Sequence, residues 1–290
     1  MTLPADIRAQ ASRDLGVRIT DVRSVGGGCI SPAYRLMCRD GSSVFLKTAP
    51  AGASEEMLMC EAESLERIAA TGTVRVPHVR AATPAWLALE WLEPAAADDA
   101  AWERLGRALA RMHRATAGRY GWNRANFIGP LPQSNDAADD WPSFWRTQRL
   151  EPQLRLARDQ LGSTTVARLQ RLLDELELRI GPAAQDGPSL LHGDLWNGNV
   201  HFTAEGGAVI DPSTYYGHRE VDLAMAALFG GFPDAFFDAY SAEWPLSAGA
   251  TARRPVYQLY YLLVHVNLFG AGYIGRTRAA LESALRAPPG

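Results

Sequence analysis

Apolar positions come in short runs along the first hundred residues and recur at helical spacing beyond them. Residues 5 to 14 read as a short amphipathic helix. The stretch DVRSVGGGCISPAYRLMCRDGSSVFLK then alternates β-like runs with a Gly-rich break and a turn at Asp40-Gly41, the pattern of antiparallel hairpins. Its last strand, Val44 to Leu46, closes on Lys47. Residues 54 to 70 place Met57, Cys60, Leu65 and Ile68 near helical spacing, with Ser54 as N-cap. VRVPHV and AWLALEWLE are two more β-like runs, and EPAAADDAA reads as a polar connector. From about residue 100 the pattern predicts amphipathic helices, interrupted only by SLLHGDLWNGNVHFTAEGGAVIDPSTYYG, where short strand-like runs alternate with loops. The fold class is therefore α+β. Residues 1–92 form a β-rich lobe with one inserted helix, and residues 93–290 a mostly helical lobe.

Composition narrows the function classes. With 290 residues, 47% hydrophobic and 21% charged, the chain is an ordinary globular protein. Net charge is −3 and no basic run occurs, which argues against nucleic acid or an anionic membrane as partner. MTLPADIRAQ has no apolar core of a secretory signal. The most apolar long stretch, VYQLYYLLVHVNLFGAGYI, carries Gln258, His265 and Asn267, as a core or pocket helix does and a membrane span does not. Cys29, Cys38 and Cys60 form neither an even disulfide set nor a zinc spacing, so they are expected as reduced thiols in a cytoplasm.

One residue stands out against the bias of the chain. Among 29 basic residues Lys47 is the only lysine. Chance retention is one explanation. The other is a position that needs a compact ammonium rather than a planar guanidinium. An apolar strand closing on Lys is the form of the kinase strand whose Lys meets ATP phosphates. HGDLWNGN, residues 192 to 199, sets Asp194 and Asn199 in the D-x-x-x-x-N spacing of a kinase catalytic loop, where a carboxylate accepts a hydroxyl proton and an amide oxygen reaches a metal. Asp211 in AVIDPS ends a strand at the place of the second metal ligand. A lone Asp–Asn pair is usually only a turn, but Lys47, Asp194, Asn199 and Asp211 together follow kinase order. Gly26, Gly27, Gly28, Cys29, Ile30 and Ser31 form a Gly-rich turn whose amides can approach phosphates. Glu61, preferred over Glu63, stands where it can hold Lys47, and backbone groups of Glu90 and Leu92 can meet an adenine edge. Departures are the absence of G-x-G-x-x-G, Gly193 in place of the Arg of H-R-D, Pro212 in place of the Phe of D-F-G, and no A-P-E segment. They point away from a regulated protein kinase and toward a small-molecule phosphotransferase.

On GGGCIS, FLK, EAESL, YGWNRANFIGPLPQSN, DWPSFWRTQRLEPQL, LLHGDLWNGNV, IDPSTYYGHREVDLAMAALFGGF and YQLYYLLVHVNLFGAGY, nearly the whole chain resembles the fructosamine kinase, or ketosamine-3-kinase, family. The resemblance implies a bilobal protein-kinase-like fold, with residues 1–92 binding nucleotide and residues 93–290 carrying catalysis and substrate. It implies ATP and Mg2+ as cofactors and phosphorylation of the 3-hydroxyl of a ketosamine (ribulosamine, erythrulosamine or fructosamine). The product decays to release the free amine or the deglycated protein. Asp194 is then the base, Asn199 and Asp211 the magnesium ligands, and Lys47 with Glu61 the phosphate site. Asp222 braces the catalytic loop. Two readings stand for His218 and Glu220, sugar site or loop support, and two for Trp196, stacking on the ketosamine or core packing. Val264 replaces the family's Asn beside His265, near a substrate contact. Alternatives are another small-molecule kinase of the aminoglycoside or choline type, and a non-catalytic nucleotide-binding scaffold. Cys29, among amides that favour a thiolate, is a redox candidate, so the chain is expected as a monomer or a weak, redox-linked dimer.

Overall fold

Two-residue alternation along one strand decides where the lone lysine points. The computed structural model describes residues 2–26 and 31–288. Helix α1 (Ala5–Asp14) precedes strands β1 (Ile19–Val25), β2 (Ala33–Cys38) and β3 (Ser43–Thr48); helix α2 (Met57–Ala69) follows, then β4 (Val79–Ala82) and β5 (Trp86–Glu90). The five strands form one antiparallel sheet in the order β1-β2-β3-β5-β4. In β3, Val44, Leu46 and Thr48 are buried on one face, which leaves Phe45 and Lys47 for the other. Val44 and Leu46 pack with Leu3 and Ala11 in the cluster that α1 completes. Phe45 packs with Met57, Leu58 and Leu65 of α2 and with Leu87 and Leu89 of β5. Leu46 is fully buried, so truncation to Ala costs roughly 2–5 kcal/mol.

Two local expectations are corrected. VRVPHV is not a strand, because Pro77 has no N–H for a ladder. The strand begins two residues later at Val79, while Arg75 makes a single parallel bridge to Ala208. Ser54 is not the cap of α2. The helix starts at Met57 behind Glu56, and the Ser54 hydroxyl accepts only from the Glu56 N–H at 3.3 Å, within the preceding turn.

Residues 91–98 lead irregularly into α3 (Asp99–His113), capped by Asp98, whose Oδ1 accepts from the Ala101 N–H at 2.8 Å. A short hairpin follows, β6 (Asn126–Ile128) and β7 (Leu131–Gln133). Then come α4 (Trp141–Phe144), a π-helical turn (Trp145–Leu150), α5 (Glu151–Leu161), α6 (Ser163–Asp174) and α7 (Leu176–Ile180). Strand β8 (Ser189–Leu191) pairs with β11 (Tyr215–Gly217), and β9 (Val200–Thr203) with β10 (Gly206–Val209). Helices α8 (Glu220–Leu228), α9 (Asp234–Glu243), α10 (Ala250–Phe269) and α11 (Ile274–Arg286) complete the chain. The apolar stretch noted above is mostly α10, whose Tyr257, Leu259, Tyr260, Leu263 and Val264 are buried in the helical core. Among the described residues no helix is long and apolar enough to cross a membrane. Helix α2 and the loop after it share one core cluster with the rest of the chain: Ile68 and Val74 pack with Leu105, Leu109, Leu190 and Val209.

Candidate active site

A cavity of about 390 Å³ lies between the sheet and the helical part. Phe45 and Lys47 of β3, Glu61 of α2, and Glu90 to Leu92 line it from one side. Asp194, Trp196, Asn199 and Asp211 line it from the other. Lys47 Nζ donates to Glu61 Oε2 at 2.8 Å and to Asp211 Oδ1 at 3.0 Å. Burial alone would pull this ammonium down, but the Asp211 and Glu61 carboxylates outweigh it and hold Lys47 above its ordinary value. Glu63, two residues on and so on another face of α2, accepts instead from Asn123 Nδ2 at 2.7 Å.

Asp194 and Asn199 sit on a loop held from beneath. Buried Asp222, at the start of α8, accepts the N–H of His192 at 2.7 Å and of Gly193 at 2.9 Å. It also accepts from His113 Nε2 at 3.1 Å; His113 therefore carries its proton there, and its Nδ1 accepts from the Tyr240 hydroxyl at 2.8 Å. His192 Nε2 donates to the Ile210 carbonyl at 2.9 Å and its Nδ1 accepts from the Asp194 N–H at 3.2 Å, which joins the loop to the strand end before Asp211. Gly193 has φ 84°, and a Cβ there would lie 2.1 Å from the Ser213 carbonyl oxygen. That contact is why no Arg stands at this position.

The electrostatics separate the two carboxylates. Burial and the neighbouring Asp211 push Asp194 up to about 7. Partial burial would raise Asp211 too, but Lys47 overrides it and holds Asp211 below the usual carboxylate range. Asn199 Nδ2 donates to the Asp194 carbonyl at 2.8 Å and to its Oδ2 at 3.3 Å, leaving Asn199 Oδ1 for a ligand. Asp211 keeps 41% of its side chain open. Two hard oxygens suit a divalent ion that takes its remaining ligands from phosphates and water. Among the described residues no group of three or more His, Cys, Asp or Glu forms a closed metal cage. The donor set therefore fits a divalent cation shared with phosphates.

The remaining expectations fall in different places. Gly26 and Ser31 line the cavity; Gly27, Gly28, Cys29 and Ile30 lie outside the described residues. The Glu90 N–H is taken by the His78 carbonyl at 2.8 Å, and the Leu92 carbonyl by His201 Nε2 at 3.1 Å. The Glu90 carbonyl and the Leu92 N–H are the other two backbone groups at this edge of the cavity. Of the two readings of Trp196, core packing is the one seen, on a side chain that also faces the cavity. It is folded so closely over Gly198 that a Cβ there would meet the indole at 2.2 Å. His218 and Glu220 are buried away from the cavity: His218 lies 3.4 Å from Asp186, and Glu220 accepts two bonds from Arg253 at 2.6 and 2.9 Å. They have no face for a sugar. His265 is half-buried among Phe229, Phe269 and Tyr273, with Nδ1 donating to the Tyr261 carbonyl at 2.7 Å. Sequence reasoning missed the hairpin residues Asn126, Phe127 and Gly129, which also line the cavity. Their only signal was the motif NFIGPLPQSN, which carries no titratable group.

The sequence profile of fructosamine kinases matches residues 4–287. A probable ketoamine kinase of Synechocystis is 40% identical, over 97% of this chain and 96% of its own. A chloroplastic protein-ribulosamine 3-kinase of Arabidopsis thaliana is 37% identical, over 93% of this chain and 84% of its own. The crystal structure of a fructosamine-3-kinase candidate from Thermobifida fusca superposes with a TM-score of 0.88 at 38% identity, over 96% of this chain and 98% of that one. A macrolide 2'-phosphotransferase, at 18% identity and a TM-score of 0.65, shares the kinase-like fold alone.

Proposed function

The chain belongs to the fructosamine kinase family, and on that premise we propose that it transfers the γ-phosphoryl group of ATP to the 3-hydroxyl of a ketosamine. Residues 1–92 hold the nucleotide, with the Glu90 carbonyl and Leu92 N–H at the adenine edge. Lys47, gripped by Glu61, meets the phosphates as a compact charge. Asp211 and Asn199 hold magnesium, which when bound neutralises the triphosphate. Residues 93–290 carry the acceptor. Its 3-oxygen bonds to the γ-phosphorus as the bond to ADP breaks, and the hydroxyl proton passes to the Asp194 carboxylate. Trp196 covers the sugar side of the loop. The 3-phosphate is unstable, so the amine, free or on a protein, is released.

One observation carries this reading: Lys47, Asp194, Asn199 and Asp211 converge on one cavity in a chain that matches the family almost end to end. The test is ATP turnover on a ribulosamine, an erythrulosamine, a fructosamine and kanamycin, with products followed by phosphorus NMR. A ketosamine 3-phosphate followed by free amine is expected. Phosphorylation of kanamycin alone would overturn the reading.

A further inference from the structure

Residues 123–135 take no part in the chemistry proposed above, yet they touch both halves of the site. On one side they tie down α2. Arg124 pairs with Glu56 at 2.8 Å, Asn123 with Glu63 at 2.7 Å, and Phe127 packs against the cluster built on Met57, Leu58 and Leu65. On the other side they place amides against the turn at residues 211–214. Asn126 Nδ2 donates to the Thr214 carbonyl at 2.8 Å. Asn126 Oδ1 accepts from Gln133 Nε2 and from Asn135 Nδ2, both at 2.8 Å. Gln133 Oε1 accepts from the Tyr260 hydroxyl of α10 at 2.5 Å, and Ser213 Oγ donates to the Phe127 carbonyl at 2.7 Å. Asn126 is 3% exposed and Gln133 2%.

Buried amides with both ends engaged admit few orientations. What they hold here is unusual. Asp211 has φ 53° and is the one non-glycine residue with positive φ among those described. A side chain in that region persists where its surroundings over-determine it, and such sites cluster where function needs them. The Ser213 carbonyl also abuts Gly193, so a shift of the turn would reach the loop that carries Asp194.

We propose that Asn126 and Gln133 are positioning residues for the Asp211 carboxylate. Segment 123–135 is a fixed brace: its buried amides keep Asp211 turned toward Lys47, while its outer residues clamp α2, and with it Glu61, onto the same lysine. The chain has no A-P-E segment and no Phe after Asp211 to do this work. The phosphate site is thus assembled before nucleotide arrives. The inference rests on Asp211 as a metal ligand; Asn126 borders the cavity, but both ends of its amide are taken by Thr214, Gln133 and Asn135, and Gln133 does not line the cavity.

The test is calorimetric titration with AMP-PNP, with and without Mg2+, which needs no ketosamine and is independent of the acceptor's identity. Wild type should bind more tightly with Mg2+, and Asp211→Asn sets the level when the ligand is lost. Asn126→Leu keeps the volume and removes the hydrogen bonds. It should lose about tenfold or more of the magnesium-dependent gain, as outer partners of metal ligands do, with magnesium-free affinity unchanged. Gln133→Met should move the same way. If Asn126→Leu fails to fold, Ser213→Ala makes the same comparison with a smaller change. A wild-type magnesium gain in folded Asn126→Leu or Ser213→Ala overturns the brace. Equal loss of binding with and without magnesium also overturns it, because that marks general collapse. If Mg2+ does not tighten binding in wild type, the metal reading of Asp211 falls first, and the brace with it.

Discussion

Asp194 is under electrostatic pressure in the folded protein. Its carboxyl is pushed from the ordinary 3.8 to about 7, first by burial and then by Asp211. A raised folded-state value favours the folded state at low pH and is lost as pH rises through about 7, so above that the ionised group destabilises the nucleotide-free protein. Asp194→Asn should therefore melt higher than wild type at a pH of about 8, with the difference vanishing below a pH of about 4. The same substitution should lower kcat by on the order of 10² to 10⁴-fold with ATP binding nearly intact. Equal melting at alkaline pH would refute the strain, and near-normal turnover would refute the base. Lys47→Arg should fold but lose most activity, because a planar fork cannot occupy the point between Glu61 and Asp211. Full activity would make the lone lysine an accident. Lys47 was legible because a strand's period of two and its place at the strand end are written in the sequence. The partner of Gly193 was not, since the Ser213 carbonyl reaches it only through the fold.

At the scale of elements, α3 and α9 touch more closely than propensity alone would allow. Gly106 lies inside α3, where Gly is about 1 kcal/mol less favourable than Ala. Propensity would make Gly106→Ala stabilising. A Cβ there would lie 2.3 Å from the Phe236 backbone oxygen of α9, and backbone cannot rotate away. We expect Gly106→Ala to lose roughly 1–3 kcal/mol in urea unfolding; a gain would show that α9 slides freely. The long helix α3 was readable from periodicity, and α10 from an apolar stretch interrupted by Gln258, His265 and Asn267. The three-residue strands of the β6–β7 hairpin are too short to show any period, and their amides look like loop polarity until Thr214 and Tyr260 are seen against them. VRVPHV failed for the opposite reason: its apolar spacing suits a strand, but Pro77 withholds a donor.

Across the whole molecule, one link between the parts is fastened at the rim of the cavity. Arg75 pairs with Glu90 at the end of β5 (2.9 Å) and with Glu205 in the β9–β10 turn, and its carbonyl accepts from the Val209 N–H at 2.9 Å. These ion pairs are partly exposed, so Arg75→Ala should cost under about 1 kcal/mol in thermal unfolding. Because the pair with Glu90 adjoins the adenine edge proposed above, the KM for ATP should nonetheless rise; an unchanged KM would separate the clamp from nucleotide binding. The order of the catalytic motifs along the chain was legible because local spacing encodes it. Of the support beneath them, Asp222 was expected only through the family resemblance, and His113 not at all: the two meet across 109 positions, a pairing no local pattern announces.

The solitary lysine has a chemical consequence for the protein as a target. Sugars and other carbonyl compounds condense with neutral amines. The one side-chain amine in this chain is 12% exposed and kept protonated by two carboxylates, so its nitrogen has no lone pair to offer. Every other cationic side chain, histidine apart, is a guanidinium. A protein proposed to free others of sugar adducts thus presents almost no amine on which such an adduct could start.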